Sequence, residues 1–142
     1  MAGMGLVYAE IESVRGVDVV LAQEGFIESE QIWRCAVHAL VDSGATRLAV
    51  PEIVRSQLDL RKTREIEADL ADGSSVSLDV VGPVEVRFQN RQTFVEAIVT
   101  LNSTTVLLGA IPMEGMDVLI DPTRQRSIVN PESPEVAKMM LM

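Results

Sequence analysis

The sequence is poor in the residues that most often form cross-links or metal sites. Its 142 residues include one cysteine, Cys35, and one histidine, His38. A single cysteine excludes an internal disulfide, and one histidine with one cysteine cannot form a zinc knuckle. Aromatic residues are 4% of the chain and hydrophobic residues 47%, so the core must consist mainly of Val, Leu, Ile and Ala. We expect no metal ion and no cofactor.

Positive charge and long apolar runs are also scarce. The formal net charge is −9, and Lys and Arg form no stripe, which argues against binding to a phosphate backbone. No apolar run approaches the ~20 residues that span a bilayer, and residues 1–6 lack the features of a signal peptide. The sequence therefore predicts a cytoplasmic protein that binds neither nucleic acid nor membranes.

The pattern of short Val- and Ile-rich segments between turn residues predicts an all-β domain over residues 1–130. Residues 131–142 are expected to be a tail or a short helix, which Ser133 would begin. The segment 15–30 is irregular and is interpreted as a loop, although 17–22 could extend the first strand or form another. Gly82-Pro83 is expected to end a strand. The predicted strands are 5–14, 32–41, 65–70, 75–81, 84–88, 93–101, 104–108, 118–120 and 126–129.

Two short helices are predicted within this β domain. Pro51 suits a first helical position, and the apolar residues after it share one face as far as Leu58. Residues 111–116 fit one helical turn or slightly more. The dipeptide Asp72-Gly73 lies between two strand patterns and predicts a hairpin.

Few residues offer nucleophilic or acid–base chemistry. His38 lies in a predicted strand and is interpreted as an exposed or satisfied histidine. Cys35 lies in the same strand and is expected to be an inert thiol. The chain has no glycine-rich phosphate loop. These observations leave the carboxylates as the candidate catalytic groups.

Asp42 has the setting that such chemistry needs. It follows an apolar strand and precedes Ser43 and Gly44, so its carboxylate is expected to emerge at a sharp turn where Gly44 allows close approach of a substrate. Asp-Ser-Gly alone is usually an ordinary turn. Three further features follow in order: an apolar strand leading to Pro51, the Asp72-Gly73 hairpin, and the apolar strand that ends at Gly109.

This order resembles the retropepsin-like aspartic peptidases, especially their small bacterial and archaeal members. The resemblance implies a closed β-barrel with one or two short helices and a flap hairpin. It implies a catalytic loop of Asp42, Ser43 and Gly44, supported by Leu107, Leu108 and Gly109. It further implies that the substrate is bordered by Leu40, Ala45 and Thr46 and by the flap tip, Asp72, Gly73 and Ser74.

The chain also departs from the retroviral pattern. Viral members place acidic residues after the Gly-Ala and an arginine after the supporting glycine. Here Thr46 and Arg47 follow the first site and Ala110 the second, so both members of that ion pair are absent. Viral substrate preference therefore does not transfer.

The chemistry implied by the resemblance needs two carboxylates, one ionised and one protonated. Asp79, Asp117 and Asp121 lack the flanking Ser/Thr-Gly, so the second carboxylate would be Asp42 of another copy. The expectation is a homodimeric endopeptidase that cleaves peptides or proteins. One alternative is a catalytically silent module of the same fold that binds peptides or dimerises. Another is a different β-barrel in which Asp-Ser-Gly is only a turn.

Overall fold

The computed structural model describes residues 6–42, 44–121, 123–139 and 141, which form nine strands and three α-helices. A 3-10 turn, Ser29–Gln31, follows the first helix. The strands are β1 (Val7–Arg15), β2 (Arg34–Val41), β3 (Leu48–Pro51), β4 (Lys62–Asp69), β5 (Ser75–Phe88), β6 (Arg91–Thr100), β7 (Val106–Leu108), β8 (Val118–Asp121) and β9 (Arg126–Val129). The helices are α1 (Gly16–Gln23), α2 (Glu52–Gln57) and α3 (Ala110–Met116).

Six strands close into a barrel. They run in the order β5, β6, β3, β7, β2 and β1, and a pairing between β5 and β1 closes the ring. β4 pairs outside the ring with β5, while β9 and β8 continue the sheet beyond β1. The predicted all-β barrel is thus confirmed, although it carries three α-helices where one or two were expected.

Alternating apolar residues build the interior of the barrel. In β1, Ala9 and Ile11 point inward and are buried, whereas Tyr8 and Glu10 point outward and are exposed. β5 contributes Val84 and Val86, both fully buried. Because side chains alternate between the faces of a strand, these short segments present one apolar face to a common core. None of the helices in the described part of the chain is long and apolar enough to span a membrane.

The interpretation of residues 15–30 as a loop is wrong, because most of this segment is helical. α1 begins directly after β1, where the Asp18 carboxylate accepts bonds from the Arg15 guanidinium at 2.6 Å and the Trp33 N–H at 3.0 Å. The helix ends at Gln23. Gly25, two residues further on, has a φ of +83°, and the Phe26 N–H donates to the Leu21 carbonyl. This is a Schellman-type end, which needs a residue with positive φ. The valines of this segment disfavour a helix locally, and the hydrogen bond between Asp18 and the distant Trp33 outweighs that preference.

Two other expectations are corrected. β5 does not end at Gly82-Pro83 but continues to Phe88, with an irregularity in its pairing with β6 between Val81 and Val84. Pro51 is the last residue of β3 and the N-cap of α2, not the first helical residue. For residues 131–142 the alternatives are a tail and a short helix; the described part contains no helix, and residues 131–136 form turns and bends.

Candidate active site

Asp42 follows the last residue of β2 and begins a tight turn. The Asp42 N–H donates to the Leu108 carbonyl at 3.1 Å, and the Asp42 carbonyl accepts from the Ala45 N–H at 3.0 Å. The carboxylate is exposed, and its Oδ1 accepts from the Gly44 N–H at 2.9 Å. Oδ2 has no hydrogen-bond partner among the described residues. The turn thus holds a carboxylate with one oriented oxygen and one available to a ligand.

Residues 109–111 support this turn through backbone hydrogen bonds and close packing. The Ala110 N–H donates to the Ala45 carbonyl at 2.9 Å, and the Ile111 N–H donates to the Thr46 carbonyl at 2.8 Å. Gly109 lies between β7 and α3, where a β-carbon would come 2.4 Å from the Arg47 carbonyl oxygen. Only glycine allows the two backbones to approach so closely. The start of α3 and the loop after Asp42 are therefore one hydrogen-bonded unit.

Leu40 and Leu107 are paired residues of two parallel strands beside this turn. Their neighbours Val41 and Leu108 are buried in the core, whereas Leu40 and Leu107 are only partly buried. Alternation along both strands therefore directs Leu40 and Leu107 to the opposite face from the core. This places two apolar side chains on the surface that leads to Asp42.

His38 lies on the same outward side of β2 as Leu40. Its ring stacks on Tyr8 with a centroid distance of 4.4 Å and an interplanar angle of 11°. Its Nδ1 contacts the Glu10 carboxylate, and the His38 side chain is 60% exposed. The interpretation of His38 as an exposed strand histidine is confirmed. The Tyr8 and Glu10 contacts were missed because they depend on the register of β1 with β2, which no local pattern reveals.

Cys35, the other candidate from the sequence, is a partly buried thiol at the start of β2. Its Sγ contacts Oε1 of Gln57 at 3.2 Å. Burial raises the pKa of the Cys35 thiol, which disfavours the thiolate that a nucleophile needs. The geometry gives no support to a cysteine-based reaction.

Asp72, Gly73 and Ser74 form the tip of the β4–β5 hairpin. The Gly73 N–H donates to the Leu70 carbonyl at 3.0 Å, and Gly73 has a φ of +87°. The Asp72 carboxylate accepts from the Ser74 N–H at 2.9 Å and from the Ser74 hydroxyl. These Ser74 hydrogen bonds lower the pKa of Asp72. The tip is a glycine-dependent turn of the type expected from Asp-Gly.

One side of this hairpin is apolar. Leu70, Val76 and Leu78 line a cavity of about 340 Å³ together with Thr100, the last residue of β6, and Leu101, which follows it. Leu70 and Leu101 are about half exposed. The hairpin thus has an apolar side that faces a neighbouring loop across open space.

The predicted site residues fall into two groups. Asp42, Gly44, Ala45 and Thr46 form one unit with Leu108 and Gly109, beside the Leu40–Leu107 pair. Asp72, Gly73 and Ser74 form a separate turn, and the hydrogen bonds of the described residues do not join it to the Asp42 turn. Ser43 lies outside the described residues. Nor do the described residues contain a cluster of three or more His, Cys, Asp or Glu that could hold a metal ion.

Comparisons with known proteins show which solved structures share this architecture. No protein-family profile matches the chain, and no curated protein matches it significantly. Among solved structures, the retroviral protease-like domain of Ddi1 from Leishmania major aligns with a TM-score of 0.54 and 12% identity, covering 90% of both chains. The simian foamy virus (mac) protease aligns with a TM-score of 0.49 and 21% identity over 75% of this chain and 90% of the viral one.

A third structure, a Legionella pneumophila protein of unknown function, aligns with a TM-score of 0.45 and 12% identity over 84% of this chain and 95% of its own. At such low identities the similarity shows the fold alone. The fold assignment rests on the Ddi1 domain, whose TM-score is 0.54. The chain has the retropepsin-like fold, as its motif order predicted.

Proposed function

We propose that this chain is an aspartic endopeptidase that works as a homodimer in the cytoplasm. The observation that carries the proposal is the Asp42 turn: an exposed carboxylate, oriented by the Gly44 N–H and supported by Leu108 and Gly109, on a retropepsin-like barrel. The cytoplasmic location is consistent with the single cysteine, which leaves no internal disulfide.

Hydrolysis of a peptide bond by carboxylates needs two of them. One, ionised, takes a proton from a water molecule as the water attacks the peptide carbonyl carbon. The other, protonated, donates a hydrogen bond or its proton to the carbonyl oxygen. The C–N bond then breaks, and the leaving nitrogen takes up the proton that the first carboxylate received from water. Two carboxylates about 3 Å apart cannot both be ionised, so they share a proton and titrate as a pair.

A second copy of the chain is the proposed source of the second carboxylate. No other carboxylate bonds to Asp42 among the described residues, and Asp42 is the only aspartate followed by Ser-Gly. A two-fold axis beside the exposed Asp42 would bring two identical groups together, as an isologous dimer requires. Exposure of the carboxylate in the single chain is what such a shared site needs.

The substrate in this proposal is an extended peptide. Leu40 and Leu107 would contact its apolar side chains, and the Asp72-Gly73 hairpins would close over it and exclude water. Backbone groups of the peptide would add to the neighbouring strand edges. Side chains at Ala45 and Thr46 would border the cleaved bond.

The direct test replaces the carboxylate without changing its size. We expect Asp42→Asn to lower the rate of cleavage of a denatured-protein panel by about 10³-fold or more, since it removes the shared acid–base pair. The matched control is Asp59→Asn, which makes the same change at an exposed aspartate with a φ of +47°. Both variants should give the far-ultraviolet circular dichroism of the original chain.

Two results would decide against the proposal. If purified Asp42→Asn still cleaves at the original rate, Asp42 is not catalytic. If the unaltered chain dimerises and binds peptides without cleaving them between pH 3 and pH 7, a range that covers ordinary carboxylate titration, the silent binding module is the better description.

A further inference from the structure

The segment that joins β1 to β2 is much longer than its strands require. The two strands pair continuously from Val7↔Val41 to Val14↔Arg34, and a hairpin of this kind normally closes with two to about five residues. Here residues 16–33 intervene, with α1 and the 3-10 turn. Long ordered insertions of this kind are often functional.

This segment lies at the opposite end of β1 and β2 from Asp42. Asp42 follows Val41, which pairs with the first residue of β1, whereas the segment follows the last residue of β1. At ~3.3 Å per residue, the strand length separates the two ends by roughly 25 Å. A role for the segment is therefore separate from the proposed catalytic site.

The segment exposes large apolar side chains. Phe26 is 76% exposed, Trp33 53%, Val20 45% and Val17 37%. We call these four residues the insertion patch.

The residues of the patch lie along α1 and next to its two ends. Val17 and Val20 share one stripe of the helix with the partly buried Leu21, at the spacing i, i+3, i+4. The Phe26 N–H donates to the Leu21 carbonyl at 2.9 Å at the C-terminal end of α1, and the Trp33 N–H donates to the Asp18 carboxylate at 3.0 Å near its N-terminal end. Several exposed apolar residues on one such segment commonly mark an interaction site.

The charged residues within the segment 16–33 are all acidic. Residues 16–33 contain Asp18, Glu24, Glu28 and Glu30 and no Lys, Arg or His. Asp18 is buried and paired with Arg15, whereas the three glutamates are exposed and form no ion pair with a described residue. Glu24 continues the stripe of Val17, Val20 and Leu21. The nearby cation Arg34 is already paired with Glu12.

We propose that the insertion patch binds a basic amphipathic segment of another protein, one with large apolar side chains on one face and Lys or Arg beside them. The apolar face would cover Val17, Val20, Phe26 and Trp33, and the cations would pair with Glu24, Glu28 and Glu30. A second copy of this chain is a poorer fit because two patches with the same three negative charges would repel each other.

The chain supplies its own reporter for a binding test. Trp33 is the only tryptophan, and it belongs to the patch, so its fluorescence should shift to shorter wavelength when a partner covers it. The probe is a helical peptide of Leu and Lys with Leu at i, i+3, i+4 and i+7. A Leu–Glu peptide of the same pattern and a Leu–Lys peptide with scrambled order are the comparison probes.

We expect saturable binding of the patterned Leu–Lys peptide to the full chain, at least about ten-fold tighter than either comparison peptide. Replacing Glu24, Glu28 and Glu30 by Lys should weaken binding by about ten-fold or more, and so should Val20→Ser with Phe26→Ser. The matched control replaces Glu67, Glu114 and Glu132 by Lys. These glutamates are also exposed, so the net charge changes equally, and we expect affinity within about two-fold of the original.

The proposal fails if the two triple variants weaken binding equally, since attraction would then follow net charge alone. It also fails if no probe binds saturably, or if the Leu–Glu peptide binds as well as the Leu–Lys peptide. Light scattering that shows self-association lost in Phe26→Ser, without peptide binding, would assign the patch to a second copy instead. Circular dichroism of every variant establishes that it is folded.

Discussion

Gly109 and Arg47 approach so closely that a β-carbon on Gly109 would lie 2.4 Å from the Arg47 carbonyl oxygen and 2.8 Å from its nitrogen. The obstacle is backbone and cannot rotate away. Gly109→Ala should therefore push the loop after Asp42 out of place, and overpacking of this kind costs about 1–3 kcal/mol. We expect a lower free energy of unfolding in urea and, under the proposed function, loss of hydrolysis.

Gly25→Ala is the control for this substitution. Gly25 lies after α1, away from the Asp42 turn; open space surrounds it and its φ is +83°, so alanine there has only a conformational cost of about 1–2 kcal/mol. Stability should fall in both variants, while hydrolysis is abolished only at position 109. An active Gly109→Ala enzyme would show that the support of the Asp42 turn by Gly109 is dispensable.

Leu107 and Leu108 are neighbours in β7 with opposite surroundings. Leu108 is fully buried, whereas Leu107 is partly buried on the outer face beside Leu40. Leu108→Ala should lower the free energy of unfolding by about 2–5 kcal/mol because it leaves a cavity. Leu107→Ala should lower the free energy of unfolding less and, under the proposed function, should change which peptide bonds are cleaved. Urea unfolding and mass spectrometry of the cleavage products measure the two effects; equal destabilisation by both variants would contradict them.

If two chains share one active site, as the proposed function requires, an inactive chain lowers the activity of the active chain it pairs with. When equal amounts of the original chain and Asp42→Asn exchange subunits at random, only about a quarter of the dimers keep two Asp42 carboxylates. Activity per active chain should therefore fall by about half relative to the unmixed protein. Subunit exchange is verified by native mass spectrometry with one chain isotopically labelled. Activity per active chain that does not change after verified exchange would show that one chain suffices.

Asp117 links α3 to the tail and should make this link sensitive to acid. Its carboxylate accepts from the Asn130 amide at 2.9 Å, from the Lys138 N–H at 3.1 Å and from the Ser133 hydroxyl. These bonds, the Ser133 one first, lower the pKa of Asp117 from 3.8 to about 2. A lowered pKa in the folded state means that the stabilisation is complete above about pH 4 and is lost as the pH falls towards about 2.

Asp117→Asn tests this linkage, and asparagine suits the left-handed φ of 55° at this position. The variant should be less stable than the original chain at pH 7, and the difference in free energy of unfolding should shrink between pH 4 and pH 2. Its tail should also be cleaved faster by an added protease. Glu114→Gln is the control, since Glu114 is exposed on the same helix. A stability difference that does not vary with pH would remove the proposed role of the ionised carboxylate.

Local sequence patterns determined much of the barrel. Short Val- and Ile-rich segments between turn residues located β5, β6 and their neighbours, and Asp72-Gly73 located a turn with positive φ, because these signals depend on residues close together in the chain. The motif order from Asp42 to Gly109 also indicated the retropepsin-like fold. The boundaries moved by a few residues because pairing with neighbouring strands sets where a strand ends.

Only the tertiary structure decided the features that join distant segments. The helix α1 depends on Asp18 bonding to Trp33, the closed ring on β5 pairing with β1, and the stacking of Tyr8 on His38 on the register of two strands. The sequence by itself determined that Asp42 follows an apolar strand at a sharp turn. That the Asp42 N–H meets the Leu108 carbonyl, and that Gly109 leaves room for it to do so, depends on contacts between residues more than sixty positions apart, which no local preference specifies.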